Sequence, residues 1–285
     1  MKIDQLQKKM LLMPPPTQPC FMQYGDNYMK SRVKFNPTCV KDQAVFIQFT
    51  SNVKTDEEIL LLPDACLKFI FEISSSGITP HVIGLNSAPS KFLVKPGTLY
   101  FCCMPYLPIF FKGKRFNAKD IIDKELPTDE IFKDNIFTEI FAKSTTFKSR
   151  IDRFCDYALK NLIDFDYNPN LVEYMALLIC SYGGKRMPDF EKETSYSDRY
   201  CRKLFSMEYG MSLKRYCRVL RFQHVVNMIL ANENYSALDI VCSNEYYDQS
   251  HYIHDFRTMS TFTPDSFKQL LVKEINVSVK KSTHC

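Results

Sequence analysis

Residues 197–222, SDRYCRKLFSMEYGMSLKRYCRVLRF, and residues 239–268, DIVCSNEYYDQSHYIHDFRTMSTFTPDSFK, decide the fold of the C-terminal third because they carry one pattern twice. Ser197 to Phe205 aligns with Asp248 to Phe256 at a constant offset of 51 residues, and the same offset sets Ser212-Leu213 on Thr263-Pro264. Ser197 and Asp248 are N-cap residue types, whose side-chain oxygen accepts from an otherwise orphaned N–H at a helix start. A short amphipathic segment precedes each capped one, 188–193 in the first copy and 237–243 in the second, and Ser236 with Asp239 has the spacing of a capping box. A short helix, a turn and a capped second helix form a helix-turn-helix unit. Two copies at fixed spacing make a repeat, which is far more specific than one.

On the first capped segment Cys201, Leu204 and Phe205 recur at helical spacing and face inward, leaving Arg199, Arg202, Lys203 and Ser206 on the opposite side. From Arg199 to Arg221 seven basic residues stand against one acid, Glu208. A basic face on the second helix of such a unit suits a phosphate-lined groove. Between the copies, Ser212 to Leu230 contains no Gly or Pro and puts Leu213, Tyr216, Cys217, Leu220, Val225 and Met228 on one side. Read as one helix of roughly 19–20 residues it makes a rod of about 30 Å. Successive major grooves on one face of B-DNA lie about 34 Å apart, so one polypeptide can address two of them.

The stretch 171–271 resembles the DNA-binding domain of AraC/XylS transcription regulators, above all in the two strings quoted; the second resembles the family signature of a turn, Asp-Gln-Ser, an aromatic, Phe and Thr-Pro. The resemblance implies an all-helical domain of two helix-turn-helix units joined by a long helix, usually acting on promoters as a transcription activator. Position by position, the family's base-reading places fall on Arg199, Arg202 and Lys203, and on Gln249, Ser250, His251 and His254. Arg and Lys donate to guanine O6 and N7, and Gln pairs with adenine N6 and N7. Phe205, Phe256, Leu204 and Ile240 fall on core positions. The second copy departs from the pattern: Glu245 and Thr261 stand where the family turns on Gly. Asp248 and Asp255 bring negative charge beside its capped segment, so that copy is expected to add selectivity and little electrostatic affinity.

Upstream, 33–111 breaks into short β-branched and aromatic runs (AVFIQF, KFIFEI, HVIGL, KFLV, TLYFCCM) separated by Pro, Gly, Ser and Asn, the texture of an antiparallel sandwich or barrel. Leu62-Pro63-Asp64-Ala65-Cys66 followed by KFIF resembles a β-rich domain that precedes the DNA reader in some relatives, with Gly usual at Ala65. A ligand cavity and a filled core both fit these runs. Near residue 116 the texture turns helical, and Phe147, Ile151, Phe154, Ala158, Leu162 and Phe165 draw one apolar stripe, suited to packing on its own domain or to self-association. Residues 165–169 read as a linker. The expected fold is α+β: a β-rich barrel-like or sandwich-like regulatory and dimerisation domain with a helical end over 1–166, then an all-α DNA-binding domain over 167–285.

The 285 residues, 45% hydrophobic, suffice for two such domains, and a net charge of +5 does not by itself select a partner. Eleven cysteines without a C-x-x-C pair suit neither a disulfide framework nor a zinc site. The opening MKIDQLQKKMLLMPPP lacks the apolar stretch of a signal peptide and no window approaches 18 apolar residues, so the expected location is cytoplasmic, with no membrane partner. No Gly-rich phosphate loop or acid-base set with a nucleophile is present, which predicts no enzyme and no cofactor. His251 and His254 with Asp248 or Cys242 are a poor metal set beside a DNA-facing reading. The partners implied are double-stranded promoter DNA, RNA polymerase, a second copy of the chain and an unidentified small-molecule effector. A competing reading is an interaction protein of the same fold that has lost part of its DNA reading; Glu245, Thr261 and a balance of 15 basic to 13 acidic residues over 167–285 favour it.

Overall fold

The computed structural model describes residues 16–24, 28–34, 43–105, 110–111, 118–126, 128, 131–132, 136–164, 175, 178–179, 181–183, 197–231, 235–244 and 246–271. The apolar runs of the N-terminal part become strands β1 (Met29–Lys34), β2 (Gln43–Thr50), β3 (Glu57–Leu61), β4 (Lys68–Ser74), β5 (Gly77–Ile83), β6 (Ser90–Val94), β7 (Leu99–Pro105), β8 (Phe110–Phe111), β9 (Glu125–Leu126) and β10 (Ile163–Asp164). Six of them form an antiparallel sheet in the order β1-β2-β7-β4-β5-β9, with β3–β6 and β8–β10 as separate two-stranded ladders. Of the two architectures the sequence allowed, the open, sandwich-like one is observed. Side-chain alternation sorts the sheet into two cores. Val45, Ile47, Phe49, Ile70, Tyr100 and Cys102 face the β3–β6 ladder, which contributes Ile59, Leu61, Phe92 and Val94. Phe46, Phe69, Phe71, Phe101 and Cys103 face the other way, onto helices. Burial on both faces is why KFIF and YFCCM read as continuous rather than alternating runs.

A four-residue helix, α1 (Pro19–Met22), precedes the sheet, and α2 (Ile136–Ala142) and α3 (Phe147–Tyr157) cover its second face. Thr146 caps α3 in a capping box with Ser149. The expected stripe is present but not as one α-helix: after Tyr157 the chain widens into a π-helical turn, Ala158–Leu162, and then enters β10. Phe147, Ile151, Phe154, Ala158 and Leu162 are all buried, and Phe154, fully inaccessible, lies 5.5 to 6.3 Å from the rings of Phe46, Phe69, Phe71, Phe101 and Phe137. Self-association through this stripe is therefore corrected: the sheet has already taken its apolar face. Phe165 and the linker 165–169 lie outside the described residues.

The C-terminal part contains α4 (Asp198–Tyr209), α5 (Leu213–Leu230), α6 (Ala237–Ser243), α7 (Gln249–Ser260) and α8 at 264–271. The short segment 188–193 expected before α4, and Glu245, lie outside the described residues. One apolar cluster runs from Phe71 and Phe154 through Phe205 and Phe222 to Phe256, so the core does not stop at the proposed boundary between 166 and 167. Polar contacts reinforce the joint. The Thr17 amide donates to Gln223 Oε1 at 2.9 Å, and Gln223 Nε2 donates to the Pro63 carbonyl at 2.7 Å. Gln18 binds both the amide and the carbonyl of Leu62 and donates to Asp64, whose other oxygen receives Lys68 Nζ at 2.7 Å with both side chains sealed from solvent. The LPDA segment is thus a docking loop for α5. Ala65, where the resemblance calls for Gly, holds φ at +53°.

Candidate nucleic-acid interface

The 51-residue repeat survives in atomic detail. Ser197 Oγ accepts the Tyr200 amide at 3.3 Å, and Asp248 Oδ1 accepts the His251 amide at 2.7 Å, so α4 and α7 start from equivalent caps. Ser212 and Thr263 cap the following helices through Arg215 and Ser266. Ser236 and Asp239 close the expected capping box on α6; hydrogen bonds from the Ser236 hydroxyl and amide hold the Asp239 carboxyl below the usual range. The ends match too. Gly210 and Thr261 both adopt the left-handed conformation, at φ +67° and +68°, donating to the Ser206 and Arg257 carbonyls at 3.0 and 2.9 Å. Inside the units Phe205 meets Tyr216 at 5.5 Å, and the residues 51 places on, Phe256 and Phe267, meet at 5.4 Å.

Thr261 therefore occupies a position that glycine fills without strain. Its side chain is exposed, so its loss removes little burial. Thr261→Gly should raise stability by about 0.5–1 kcal/mol and Gly210→Ala should lower it by a similar amount, both read from urea unfolding midpoints.

The seven residues proposed to meet bases fall on two outward faces. Arg199, Arg202 and Lys203 are exposed on α4, opposite buried Cys201 and Phe205 and half-buried Leu204. Gln249, Ser250, His251 and His254 are exposed on α7, opposite buried Tyr252 and Phe256. The His251 ring is held in place: its Nδ1 accepts the Tyr247 amide at 3.3 Å and it stands edge-on to Tyr246 at 5.5 Å. Gln249 and exposed Ile253 also border a cleft of about 260 Å³, closed on its other sides by Met228, Ile240, Pro264 and Lys268.

Three sequence readings need correction. Asp255 does not present charge beside α7; it is buried and ion-paired with Arg218 of α5. The basic run from Arg199 to Arg221 is correspondingly smaller at the surface. Arg215 pairs with Asp123 of the β-rich part at 2.7 Å, Arg218 with Asp255, and the Arg221 guanidinium sits 6.0 Å from the centre of the Tyr246 ring. These partners lie 92 and 37 residues away for the two ion pairs, so no local pattern announces them. Nor is α5 one-sided. Val219, Phe222, Gln223 and Val226 are buried while Cys217 and Leu220 are only half-buried, because the helix is wedged between both units and the LPDA loop. Gly183, at φ +78°, lies against it so closely that a Cβ would come within 2.7 Å of the Cys217 carbonyl.

At 18 residues α5 is about 27 Å long. Beside it, α4 also packs on the 3-10 turn Ala118–Ile121, which brings the β-rich part to the first unit. Among the described residues no cluster of His, Cys, Asp and Glu could hold a metal ion, and no helix is long and apolar enough to cross a membrane.

Residues 191–269 match a family model described as a helix-turn-helix domain, a little over a quarter of the chain. No curated protein matches. Among solved structures the chain is similar to ToxT from Vibrio cholerae. The apo K231A form from strain SCE256 aligns at 11% identity and a TM-score of 0.42, over 79% of this chain and 97% of that one. ToxT from strain O395 bound to (E)-4-(8-methylnaphthalen-1-yl)but-3-enoic acid aligns at 11% identity and a TM-score of 0.41, over 86% and 99%.

Proposed function

We propose that this chain, whose residues 191–269 match a helix-turn-helix domain model, is a sequence-specific transcription activator of the AraC type. It sets α4 and α7 into adjacent major grooves of promoter DNA. The observation that carries this reading is the pair of equivalently capped helices, 51 residues apart, each with a polar face turned to solvent and joined by a rod of about 27 Å. Arg199, Arg202 and Lys203 would meet guanine edges and phosphates from α4. Gln249, Ser250, His251 and His254 would read from α7, with Ile253 placed to touch a thymine methyl. The β-rich part, 1–166, would regulate the reader it is docked on, through an effector not yet identified; RNA polymerase would be the partner of activation.

Selecting bound fragments from genomic DNA, then footprinting the recovered operator, tests the proposal. Protection of two adjacent major grooves supports it, whereas protection of one would confine DNA reading to a single unit. Pairing of Arg215 and Arg218 within the chain thins the basic surface, which favours the interaction-protein alternative to that extent. Salt dependence separates the two: a reader loses affinity steeply between 50 and 200 mM salt, roughly 0.9 log units per log unit of salt for each neutralised phosphate, and an interaction protein binds no promoter DNA at either. For α7, Gln249→Ala combined with His254→Ala should cut the ratio of operator to unrelated-DNA affinity, at about 1–3 kcal/mol for each lost base contact, and leave binding to unrelated DNA nearly unchanged in competition titrations.

A further inference from the structure

At Asp255 the inner face of α7 breaks the repeat by placing a charge where the first unit is apolar. Its equivalent in the first unit, 51 residues earlier, is Leu204, a half-buried apolar residue at an apolar contact. In the second unit the same position carries a buried carboxylate, met by the guanidinium of Arg218 from the middle of α5. One turn further along α5, Phe222 packs on Phe256 at 5.2 Å and Arg221 lies over Tyr246, whose ring is 5.4 Å from Tyr252 of α7. A band of α5 side chains, Arg218, Arg221 and Phe222, thus grips α7 and the turn before it.

Apolar contacts of this kind fix separation but tolerate rotation and sliding. An ion pair to a buried carboxylate does not, even with the Arg218 side chain 35% exposed, because moving α7 about its axis would strand Asp255 out of water without its partner; ionic pairs of this kind can set register. The other end of α5 is continuous with the first unit, where Leu213 and Tyr216 are buried against it. We propose that Arg218 and Asp255 are a positioning pair that fixes the orientation of α7 relative to α4, and hence the spacing of the two half-sites the chain accepts. The proposal rests on the DNA-reading assignment above and deepens it: neither side chain contacts DNA, and both act through the helix they hold.

The first test needs no DNA. Spin labels introduced as genetically encoded non-natural residues at Met207 and Thr258, both exposed, report the separation of the two helices by pulsed electron resonance. Asp255→Ala should broaden or shift that distance distribution. Exchanging the charges, Arg218→Asp with Asp255→Arg, should restore it. The second test uses the selected operator, the same operator reduced to the α4 half-site, and versions with one base pair inserted or removed between the half-sites. Asp255→Ala should lose about tenfold or more on the intact operator, because coupling of two linked sites requires matched geometry. It should bind the single half-site as the wild type does, and should discriminate less among the spacing variants. The exchanged pair should recover all three behaviours. Melting curves identify any variant that has not folded, and Arg218→Met with Asp255→Leu, which makes the contact apolar as in the first unit, provides a folded protein without the ion pair. An unchanged distance distribution in that apolar variant and in Asp255→Ala overturns the proposal. So does an equal loss on intact operator and single half-site, which would mean that Asp255 supports the α4 reader itself and not the placing of α7. If the distances change as expected while the wild type binds no DNA, the DNA-reading assignment fails and the brace stands.

Discussion

Replacing Arg199, Arg202 and Lys203 together with alanine is expected to weaken operator binding by at least about 3 kcal/mol, a hundredfold or more, since each direct base contact is worth about 1–3 kcal/mol. All three side chains are exposed on α4, so the melting temperature should stay within a degree or two, surface substitutions costing about 0.5 kcal/mol or less. The single variants divide the roles. One that reads a base loses affinity for the operator and keeps its affinity for unrelated DNA; one that meets a phosphate loses on both and lowers the salt slope by about one unit. Fluorescence anisotropy at several salt concentrations separates them. Full retention of operator affinity in the triple variant would remove α4 from the interface, and with it the basis for reading the chain as a regulator.

What the sequence made legible here was local. Ser197, Ser212, Ser236, Asp248 and Thr263 each act within three residues of themselves, and every one of these caps is present. The boundaries of α6 were legible for the same reason: the capping box starts it and loss of the apolar pattern ends it. What escaped depended on groups distant in sequence. A count of charges between Arg199 and Arg221 cannot distinguish Arg202, exposed on α4, from Arg218, committed to a carboxylate 37 residues away. Likewise, Gln223 looks like a polar residue on a connector until the Pro63 carbonyl and Thr17 amide are brought to it from across the chain. The stripe from Phe147 showed that a face must be covered and left open what covers it. Periodicity carries no information about the partner.

That stripe provides the second large effect. Phe154 is fully inaccessible and stands at the crossing of five rings, from β2, β4, β7 and α2. Truncating such a side chain removes its burial and leaves a cavity that rigid neighbours cannot refill, so Phe154→Ala should cost about 3–5 kcal/mol in urea unfolding. Phe154→Asp should go further and leave the chain without a cooperative transition, because an unpaired carboxylate there has no hydrogen-bond partner and total stability is only about 5–15 kcal/mol. An exposed dimer seam would answer differently: a charge at its centre would yield folded monomers from a wild-type dimer. Sedimentation and melting of Phe154→Asp read both outcomes in one sample. Aggregated or unfolded material places the ring in the core that joins the sheet to α3, whereas a folded monomer with wild-type melting would put the stripe at a surface after all.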